Sequence, residues 1–396
     1  MLPSDSTFSF EYADSTVHFG RNSVANLEEC LAEHGAQSAL IVCGSNVGAN
    51  ADLMGPLREG LGSRLGGVFD GTTPDKSIED VFAGIEAIRE SDPDVLVGVG
   101  GGSSLDIARQ MSVLEADGRS LEEIKRAARE GGLTPPEPER PPKPVIVIPT
   151  TFAGAADSSG GSIIVLSADE SPTAQPVRIG GSLRPIAMFY DPALFETTPT
   201  SVLAGSAMNG FNKGLETIYS SASNPITDAT AVHGLRLLQD GFTRLSSDRP
   251  DGMDESVVGT ILVQFERNTN VIHAFGHGFS RRYPVQQGKI HAIVAPHVLE
   301  YLFDEADARR NVLAEGLNVD TARASDPAIG EAIVTEVRKV RNGFELPTRL
   351  RDLEPVREED IPKIAEFIVS DTAMARAPES VPMGEGEVEE IIRSAW

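Results

Sequence analysis

Hydrophobic residues in the first half of the chain follow two alternating patterns. Short, continuous apolar runs at Ser38–Cys43, Val95–Val99 and Val145–Ile148 have the length and composition of buried strands. Between these runs, Ile78–Glu90 and Ser104–Leu114 repeat apolar residues at helical spacing. An alternation of strands with helices predicts an α/β domain built on a parallel sheet.

The pattern changes twice further along the chain. Short β-like pieces separated by turn residues fill Gly161–Pro192 and predict a hairpin. Thr198 followed by Pro199 is typical of an N-cap and first helical position, and helical patterns then continue to the C-terminus. The clearest of these predicted helices are Asp228–Leu245, Ser256–Val271, Asp326–Phe344 and Ile361–Thr372. We therefore predict an α/β domain over residues 1–195 and an all-α domain over 196–396.

Composition narrows the class of protein. A chain of 396 residues with 40% hydrophobic residues is long enough for two packed domains. Its net charge of −25 repels phosphate groups, so we expect neither nucleic acid nor an anionic membrane surface as a partner. No apolar run approaches the ~20 residues that span a bilayer, and Met1–Ser9 lacks the features of a secretory signal. Two cysteines exclude a disulfide framework, so we expect a cytoplasmic protein.

The basic residues are strongly biased toward arginine. Only seven of the 34 basic residues are lysines, and the other 27 are arginines. A strongly acidic chain with few lysines suits a medium in which concentrated salt screens the repulsion between like charges. This composition favours a halophilic host, and an ordinary acidic protein from a GC-rich genome is the alternative.

A glycine-rich turn is the most informative local motif. The apolar run ending at Val99 continues into Gly100–Gly102 and Ser103, and a helical pattern follows. Glycines let backbone N–H groups approach an anion, and a helix N-terminus adds partial positive charge, so a pyrophosphate would fit here. The turn is not the Rossmann fingerprint, because the sixth position counted from Gly98 is Ser103 rather than glycine or alanine. A tight strand–helix connection that binds nothing is the alternative.

Together with three later motifs, the turn resembles the iron-containing alcohol dehydrogenase superfamily. These motifs are Ile148–Thr151, Tyr190–Pro192 and the spacing of His273 and His277 in a helical region. The resemblance implies the fold shared with dehydroquinate synthases: an N-terminal α/β domain that binds NAD or NADP and an α-helical domain, with the reacting site in the cleft between them. It also leads us to expect a homodimer acting on a small carbonyl or alcohol substrate.

The resemblance also implies roles for residues of the first domain. Gly101, Gly102 and Ser103 would hold the diphosphate, with Asp106 supporting the turn. Thr150 and Thr151 would line the nicotinamide side. Many members carry an aspartate at the place of Gly44, where it contacts the adenine ribose and disfavours NADP. Because Gly44 has no carboxylate, NAD and NADP both remain candidate coenzymes.

The four metal-ligand positions of the superfamily are mostly changed in this chain. They correspond to Asn209, Lys213, His273 and Gln287, so only one histidine remains. A lysine ammonium has no lone pair to offer and repels a cation. We therefore expect no metal at this site. A rival site from His273, His277 and His291 can be drawn, although isolated histidines on helices are more often packed than metal-bound.

The resemblance is strongest to a branch that works without metal, the maleylacetate reductases. Reduction of a carbonyl needs a positive or proton-donating group beside the developing alkoxide. Lys213 could act as electrophile and acid there, with His277 and His273 orienting the substrate or relaying a proton. A salt bridge from Lys213 to Glu216 is the alternative. Arg281 and Arg282 could clamp a carboxylate, but a solvated loop pair is favoured.

These arguments predict a metal-independent, NAD(P)-dependent reductase or dehydrogenase for a small carbonyl or keto acid. The alternatives are a metal-dependent alcohol dehydrogenase with a rearranged site, a lyase like the dehydroquinate synthases, and a nucleotide-binding descendant without activity. The lyase requires an intact metal site, which counts against it.

Overall fold

The computed structural model describes residues 14–153, 161–173, 175–247, 249–265 and 268–396. The described residues up to Thr198 form one compact unit, and Pro199–Trp396 form a second. All the described strands lie in the first unit, and the described part of the second is helical. The prediction of a parallel α/β domain followed by an all-α domain is confirmed.

Eight strands make up two sheets in the described part of the first unit. They are β1 (Thr16–Phe19), β2 (Ala39–Val42), β3 (Leu65–Phe69), β4 (Val95–Gly100), β5 (Val145–Pro149), β6 (Ser162–Leu166), β7 (Val177–Gly180) and β8 (Ala187–Tyr190). The main sheet has the order β1-β8-β5-β4-β2-β3 and is parallel throughout. Strands β2, β4, β5 and β8 are buried along their whole length, which explains why they are continuous apolar runs rather than alternating ones.

Helices connect these strands. They are α1 (Leu27–Glu33), α2 (Ser45–Gly48), α3 (Ala51–Leu61), α4 (Ile78–Ser91), α5 (Gly102–Asp117), α6 (Leu121–Arg129) and α7 (Pro192–Glu196). The chain passes from β2 outward to β3, and from β4 in the opposite direction to β5. Neighbouring parallel strands whose connections diverge leave a crevice beyond their carboxyl ends, where open α/β sheets bind ligands. In this sheet the crevice lies between β2 and β4.

The hairpin predicted in the region 161–192 is confirmed in its first part. Strands β6 and β7 pair antiparallel as a separate sheet, whereas β8 joins the main sheet beside β1 and β5. The predicted helix start at Thr198 is wrong by one residue. Pro199 occupies the N-cap position, and the Thr198 hydroxyl instead donates to the carbonyl oxygen of Thr150 at 2.9 Å.

The second unit contains nine α-helices among its described residues. They are α8 (Thr200–Tyr219), α9 (Pro225–Leu245), α10 (Met253–Gln264), α11 (Val271–Arg282), α12 (Gln287–Glu305), α13 (Arg310–Gly316), α14 (Asp326–Gly343), α15 (Ile361–Val369) and α16 (Glu385–Ser394). No helix in the described ranges is long and apolar enough to cross a membrane.

The single helix predicted over Ser256–Val271 is wrong, because the structure divides this region into α10 and α11. Asn270 begins α11 by accepting a hydrogen bond from the backbone N–H of Val271 through its side chain. The backbone N–H of Asn268 donates to the Thr217 hydroxyl at 2.9 Å, and that of Asn270 donates to Glu216 at 3.0 Å. Polar groups of α8 thus satisfy the interrupted backbone, which local periodicity cannot reveal.

Candidate active site

The glycine turn, defined as residues 100–103, joins β4 to α5 at the carboxyl edge of the sheet. Gly100 has a φ of +124°, a conformation that side chains disfavour, and Gly101 is the N-cap of α5. The N–H groups of Gly102 and Ser103 lie in the first turn of this helix, where the α-helical pattern gives them no acceptor. These donors and the helix dipole create the local chemistry that binds a phosphate group.

The other residues implied in coenzyme binding lie on neighbouring strands. The backbone N–H of Thr150 donates to the Gly100 carbonyl at 3.0 Å, and a Cβ added to Gly101 would lie 3.6 Å from Thr151. Gly44 follows β2 on the other side of β4, and a Cβ there would come within 3.1 Å of the Thr72 carbonyl oxygen. The structure therefore brings these residues to one edge around the crevice. A dinucleotide fits such a site.

The Asp106 side chain is paired with basic groups. Its carboxylate, on the second turn of α5, pairs with Lys76 and lies 3.6 Å from the guanidinium of the fully buried Arg109. A Cβ on Gly161 would overlap this carboxylate, at 1.9 Å from Asp106 Cγ, so only glycine fits there. Sequence reasoning missed Lys76, although its being one of only seven lysines was an available signal.

In the second unit, α8 presents three polar residues on one face. Asn209, Lys213 and Glu216 follow helical spacing, and all but Asn209 are buried. Asn209 Nδ2 lies 3.3 Å from His291 Nδ1 on α12. Lys213 Nζ donates to Gln264 Oε1 of α10 at 3.2 Å. We call the following set the polar cluster: Asn209, Lys213, Glu216, Gln264, His273 and His291.

Glu216 and His273 form a buried pair at the centre of the cluster. Glu216 Oε1 accepts hydrogen bonds from the backbone N–H groups of Asn270 at 3.0 Å and His273 at 2.9 Å. Its other oxygen is in close contact with Nδ1 of the His273 ring. Burial, only partly offset by the backbone donors, raises the pKa of the Glu216 carboxyl to about 8.

The His291 ring packs against the His273 ring at an interplanar angle of 49°, with ring centroids 4.4 Å apart. A Cβ on Gly276 would overlap His291 Nε2 at 2.2 Å, so the glycine makes room for this ring. Burial, helped by the nearby charges of His273, His277 and Lys213, lowers the pKa of His291 well below its ordinary value. His291 is therefore neutral near pH 7.

His277 lies one turn after His273 on α11, and its environment is different. Its side chain is 38% exposed, and its Nδ1 lies 3.2 Å from Asp371. Both arginines that follow it already bind carboxylates of the protein. Arg281 donates to Asp371 at 2.8 Å, and Arg282 donates to Asp360 at 3.1 Å. Both arginines belong to the last turn of α11 rather than to a loop. The interpretation as a solvated pair is wrong for Arg281, which is partly buried against Asp371, whereas Arg282 is exposed.

The residues at the superfamily's metal-ligand positions do not fit a transition metal. Asn209 and Lys213 direct nitrogen donors toward His291 and Gln264, and Gln287 Nε2 lies 3.4 Å from the Ser280 hydroxyl. His273 already binds Glu216. In the part of the chain that the structure describes, no three His, Cys, Asp or Glu side chains converge as metal ligands.

The structure adds two residues to those singled out from sequence for this region and changes the interpretation of two others. Glu216 and His291 were considered only as a salt-bridge partner and a rival ligand, and Gln264 and Asp371 were missed. Helical spacing from Lys213 could have pointed to Glu216. Asp371 lies 94 residues beyond His277, so no local pattern connects the two.

Comparisons with known proteins agree with this architecture. Residues 14–192 match the model of the iron-containing alcohol dehydrogenase family, and residues 203–396 match the model of that family's C-terminal domain. The chain belongs to the iron-containing alcohol dehydrogenase family. It is an oxidoreductase of that family, and the resemblance of its motifs is confirmed.

One curated relative and two solved structures are similar to the chain over nearly its whole length. The chain is 23% identical over 393 residues to a lactaldehyde reductase of Escherichia coli K12, covering 97% of this chain and 98% of the relative. Among solved structures, the sulfoacetaldehyde reductase of Bifidobacterium kashiwanohense in complex with NAD⁺ has a TM-score of 0.81 at 16% identity, with 98% of this chain and 99% of that one covered. The maleylacetate reductase of Agrobacterium tumefaciens has a TM-score of 0.75 at 20% identity, with 99% and 98% covered.

Proposed function

We propose that this protein is a metal-independent, NAD(P)-dependent reductase of a small carbonyl compound or keto acid. The observation that carries the proposal is the position of Lys213. A buried lysine occupies a metal-ligand position of the family, hydrogen-bonded to Gln264 among groups that do not fit a metal. Its ammonium group supplies positive charge where the family's metal would otherwise do so.

The glycine turn and the residues around the crevice are our proposed coenzyme site. The diphosphate would accept hydrogen bonds from Gly101, Gly102 and Ser103, with Thr150 and Thr151 on the nicotinamide side. The reduced nicotinamide supplies the hydride when it is bound. The absence of a carboxylate at Gly44 removes a source of repulsion toward a 2′-phosphate, so both NADH and NADPH are candidates.

The reaction needs positive charge and a proton at the substrate oxygen. We assign the first to Lys213, which stabilises the developing alkoxide. His277 is the better proton donor of the two candidate histidines because its side chain is partly exposed and can recover a proton from water. His273 is buried against Glu216, so its role is to orient neighbouring groups.

The proposal is tested by assaying protein purified without added metal. We expect oxidation of NADH or NADPH with at least one member of an aldehyde and keto-acid panel, with EDTA leaving turnover unchanged. Elemental analysis should find far less than one equivalent of iron or zinc. A stoichiometric metal whose removal abolishes turnover, and whose return restores it, would overturn metal independence.

A lysine variant tests the residue that carries the proposal. Lys213→Met keeps the apolar stem and removes the charge, so we expect kcat to fall by roughly 10²–10³, the loss typical of one preorganised donor. Coenzyme binding should remain near wild type, because the variant lies outside the glycine turn. Unchanged turnover in a folded variant would make Lys213 a structural residue.

A further inference from the structure

The contact between His277 and Asp371 joins two distant parts of the helical unit. His277 lies on α11, and Asp371 follows α15 as the N-cap of a short 3₁₀ helix, Thr372–Arg376. His277 Nδ1 and Asp371 Oδ1 are 3.2 Å apart. The carboxylate is buried, with 5% of its side chain exposed, whereas the imidazole is partly open to solvent.

Asp371 is held from several directions. Its Oδ1 also accepts a hydrogen bond from the backbone N–H of Ala373 at 3.0 Å. Its Oδ2 accepts one from Arg281 Nη2 at 2.8 Å, while Arg281 Nη1 donates to the Phe367 carbonyl at 2.9 Å. The carboxylate cannot rotate away from His277 without breaking one of these bonds. A histidine facing it therefore meets a fixed acceptor.

The protonation state of Asp371 determines which ring nitrogen carries hydrogen. Burial by itself would raise the pKa of this carboxyl, but the hydrogen bond and charge of His277 and the charge of Arg281 bring it below its ordinary value. An ionised carboxylate only accepts hydrogen bonds, so Nδ1 of His277 must be the donor. In the neutral ring, the lone pair then lies on Nε2.

We propose that Asp371, clamped by Arg281, is a positioning residue that holds His277 as the Nδ1–H tautomer and makes Nε2 the atom that exchanges the reaction's proton. This role rests on the proposed function. In the direction of reduction, the hydride that a bound reduced nicotinamide would supply adds to the carbonyl carbon, and the C=O π pair moves to oxygen. The Nε2–H bond of the His277 imidazolium breaks, and its proton completes the hydroxyl group. Neutral, Nδ1-protonated His277 then regains a proton from solvent.

The test compares two carboxylates that each bind an arginine of the same helix end. Asp371→Asn replaces a fixed acceptor with an amide that can itself donate to Nδ1. Asp360→Asn is the matched control, because Asp360 binds Arg282 and Tyr283 and contacts no histidine in the described structure. We expect Asp371→Asn to lower kcat by about 10²-fold or more, within the range of general acid–base catalysis. KM for substrate and coenzyme should change little, and Asp360→Asn should resemble wild type.

A spectroscopic measurement separates positioning from a merely structural contact. Long-range ¹H–¹⁵N spectra of the histidine rings, assigned by the signal missing in His277→Asn, report which nitrogen carries hydrogen among the seven histidines of the chain. We expect Nδ1–H in wild type and in Asp360→Asn, and a shift toward Nε2–H in Asp371→Asn. An Nε2–H tautomer in wild type, or full kcat in Asp371→Asn, would overturn the proposal.

The proposal stays testable if Asp371→Asn does not fold or if wild type shows no turnover. If Asp371→Asn does not fold, Arg281→Lys loosens the clamp while keeping the charge, and a loss in kcat without a rise in KM remains the expected result. Unchanged kcat in Arg281→Lys would contradict the clamp. If wild type oxidises neither coenzyme with any carbonyl, the proposed function fails, and the tautomer measured in wild type still decides the assignment of Asp371.

Discussion

Helix α11 carries two histidine–carboxylate pairs one turn apart, and they differ in almost every physical respect. His273 and Glu216 are both buried, and two backbone N–H groups donate hydrogen bonds to one oxygen of the Glu216 carboxyl group. His277 is partly exposed, and its partner Asp371 also binds an arginine. Burial outweighs the backbone donors and the charge of His277 and raises the pKa of Glu216 to about 8, whereas His277, the Ala373 N–H group and Arg281 outweigh burial and lower the pKa of Asp371.

The difference shows how one residue type can serve two purposes. A fully buried pair of a carboxyl group and an imidazole is suited to holding a shared proton and fixing the packing around it. A partly exposed imidazole against a fixed carboxylate is suited to exchanging protons with a substrate and with water. We therefore expect His277 to affect chiefly the rate and the Glu216 pair chiefly the stability.

The largest expected effect is on turnover when the exposed histidine is removed. His277→Asn should lower kcat by roughly 10²–10⁴-fold, the usual contribution of a general acid or base. Steady-state kinetics should show this loss with little change in the melting temperature. His273→Asn is the comparison variant, and an equal or greater kcat loss there, at unchanged stability, would reverse our assignment of the two pairs.

The second expected effect is on stability when the buried acid is removed. Glu216→Ala leaves two backbone N–H groups without their acceptor and His273 Nδ1 without its partner, so the unfolding free energy should fall by at least about 3 kcal/mol, at roughly 1–3 kcal/mol for each buried group left unsatisfied. Chemical denaturation measures this change. The exposed pair of Lys363 and Glu366 gives a control, since Glu366→Ala should cost at most about 1 kcal/mol. Similar losses in both variants would mean that the buried pair has no special role.

The third prediction concerns the pH dependence of folding stability, to which Glu216 and Asp371 should contribute in opposite directions. Because the folded-state pKa of Glu216 lies above its ordinary value of 4.5, the native state holds this proton more tightly than the unfolded chain does. Its contribution to stability is complete below about pH 4.5 and is lost as the pH rises through 8. Asp371 behaves oppositely: its contribution is present above its ordinary pKa of 3.8 and is lost on acidification.

Melting temperatures from pH 5 to 8.5 test this prediction. Glu216→Gln cannot lose a proton in that range, so the difference in melting temperature between it and wild type should change steadily with pH. Asp360→Asn should differ from wild type by a constant amount over the same range, because the pKa of Asp360 lies below its ordinary value and its partners are Arg282 and Tyr283. A constant difference for Glu216→Gln would indicate that this acid is already ionised in the native state at pH 5.

The smallest expected effect concerns the glycine turn of the α/β unit. It tests whether the two histidine–carboxylate pairs are independent of coenzyme binding. Gly101→Val adds a side chain where a phosphate would approach, and the dissociation constant of NADH or NADPH should rise at least about tenfold, roughly 1.4 kcal/mol. Fluorescence titration measures this change, and the histidine spectra should stay as in wild type. Unchanged affinity in a folded variant would remove the glycine turn from the proposed coenzyme site.

The strands and the glycine turn could be predicted from sequence because both are local. β4 is a continuous apolar run whose glycines lead directly into α5, so neighbouring residues carry the whole signal. The division between α10 and α11 could not be predicted in this way. It depends on Thr217 and Glu216 accepting hydrogen bonds from a segment that lies more than 50 residues later.

The same limit applies to the polar cluster. Lys213 and His273 could be singled out one by one through the family's motifs, but their partners come from other helices. Gln264 and Asp371 carry no motif of their own, and only packing brings them to Lys213 and His277. The interpretation of Arg281 as a solvated loop residue was wrong because its acceptors lie 86 and 90 residues later.

The sequence by itself determined the order of secondary structure, the glycine turn, the family and the loss of three metal-ligand residue types. Each of these depends on residue identity or on spacing within one element. The tertiary structure alone decided the environment of each titratable group: Glu216 buried against His273, and Asp371 held between His277 and Arg281. A pKa depends on burial and on charges a few ångströms away, and those distances exist only after the helices pack.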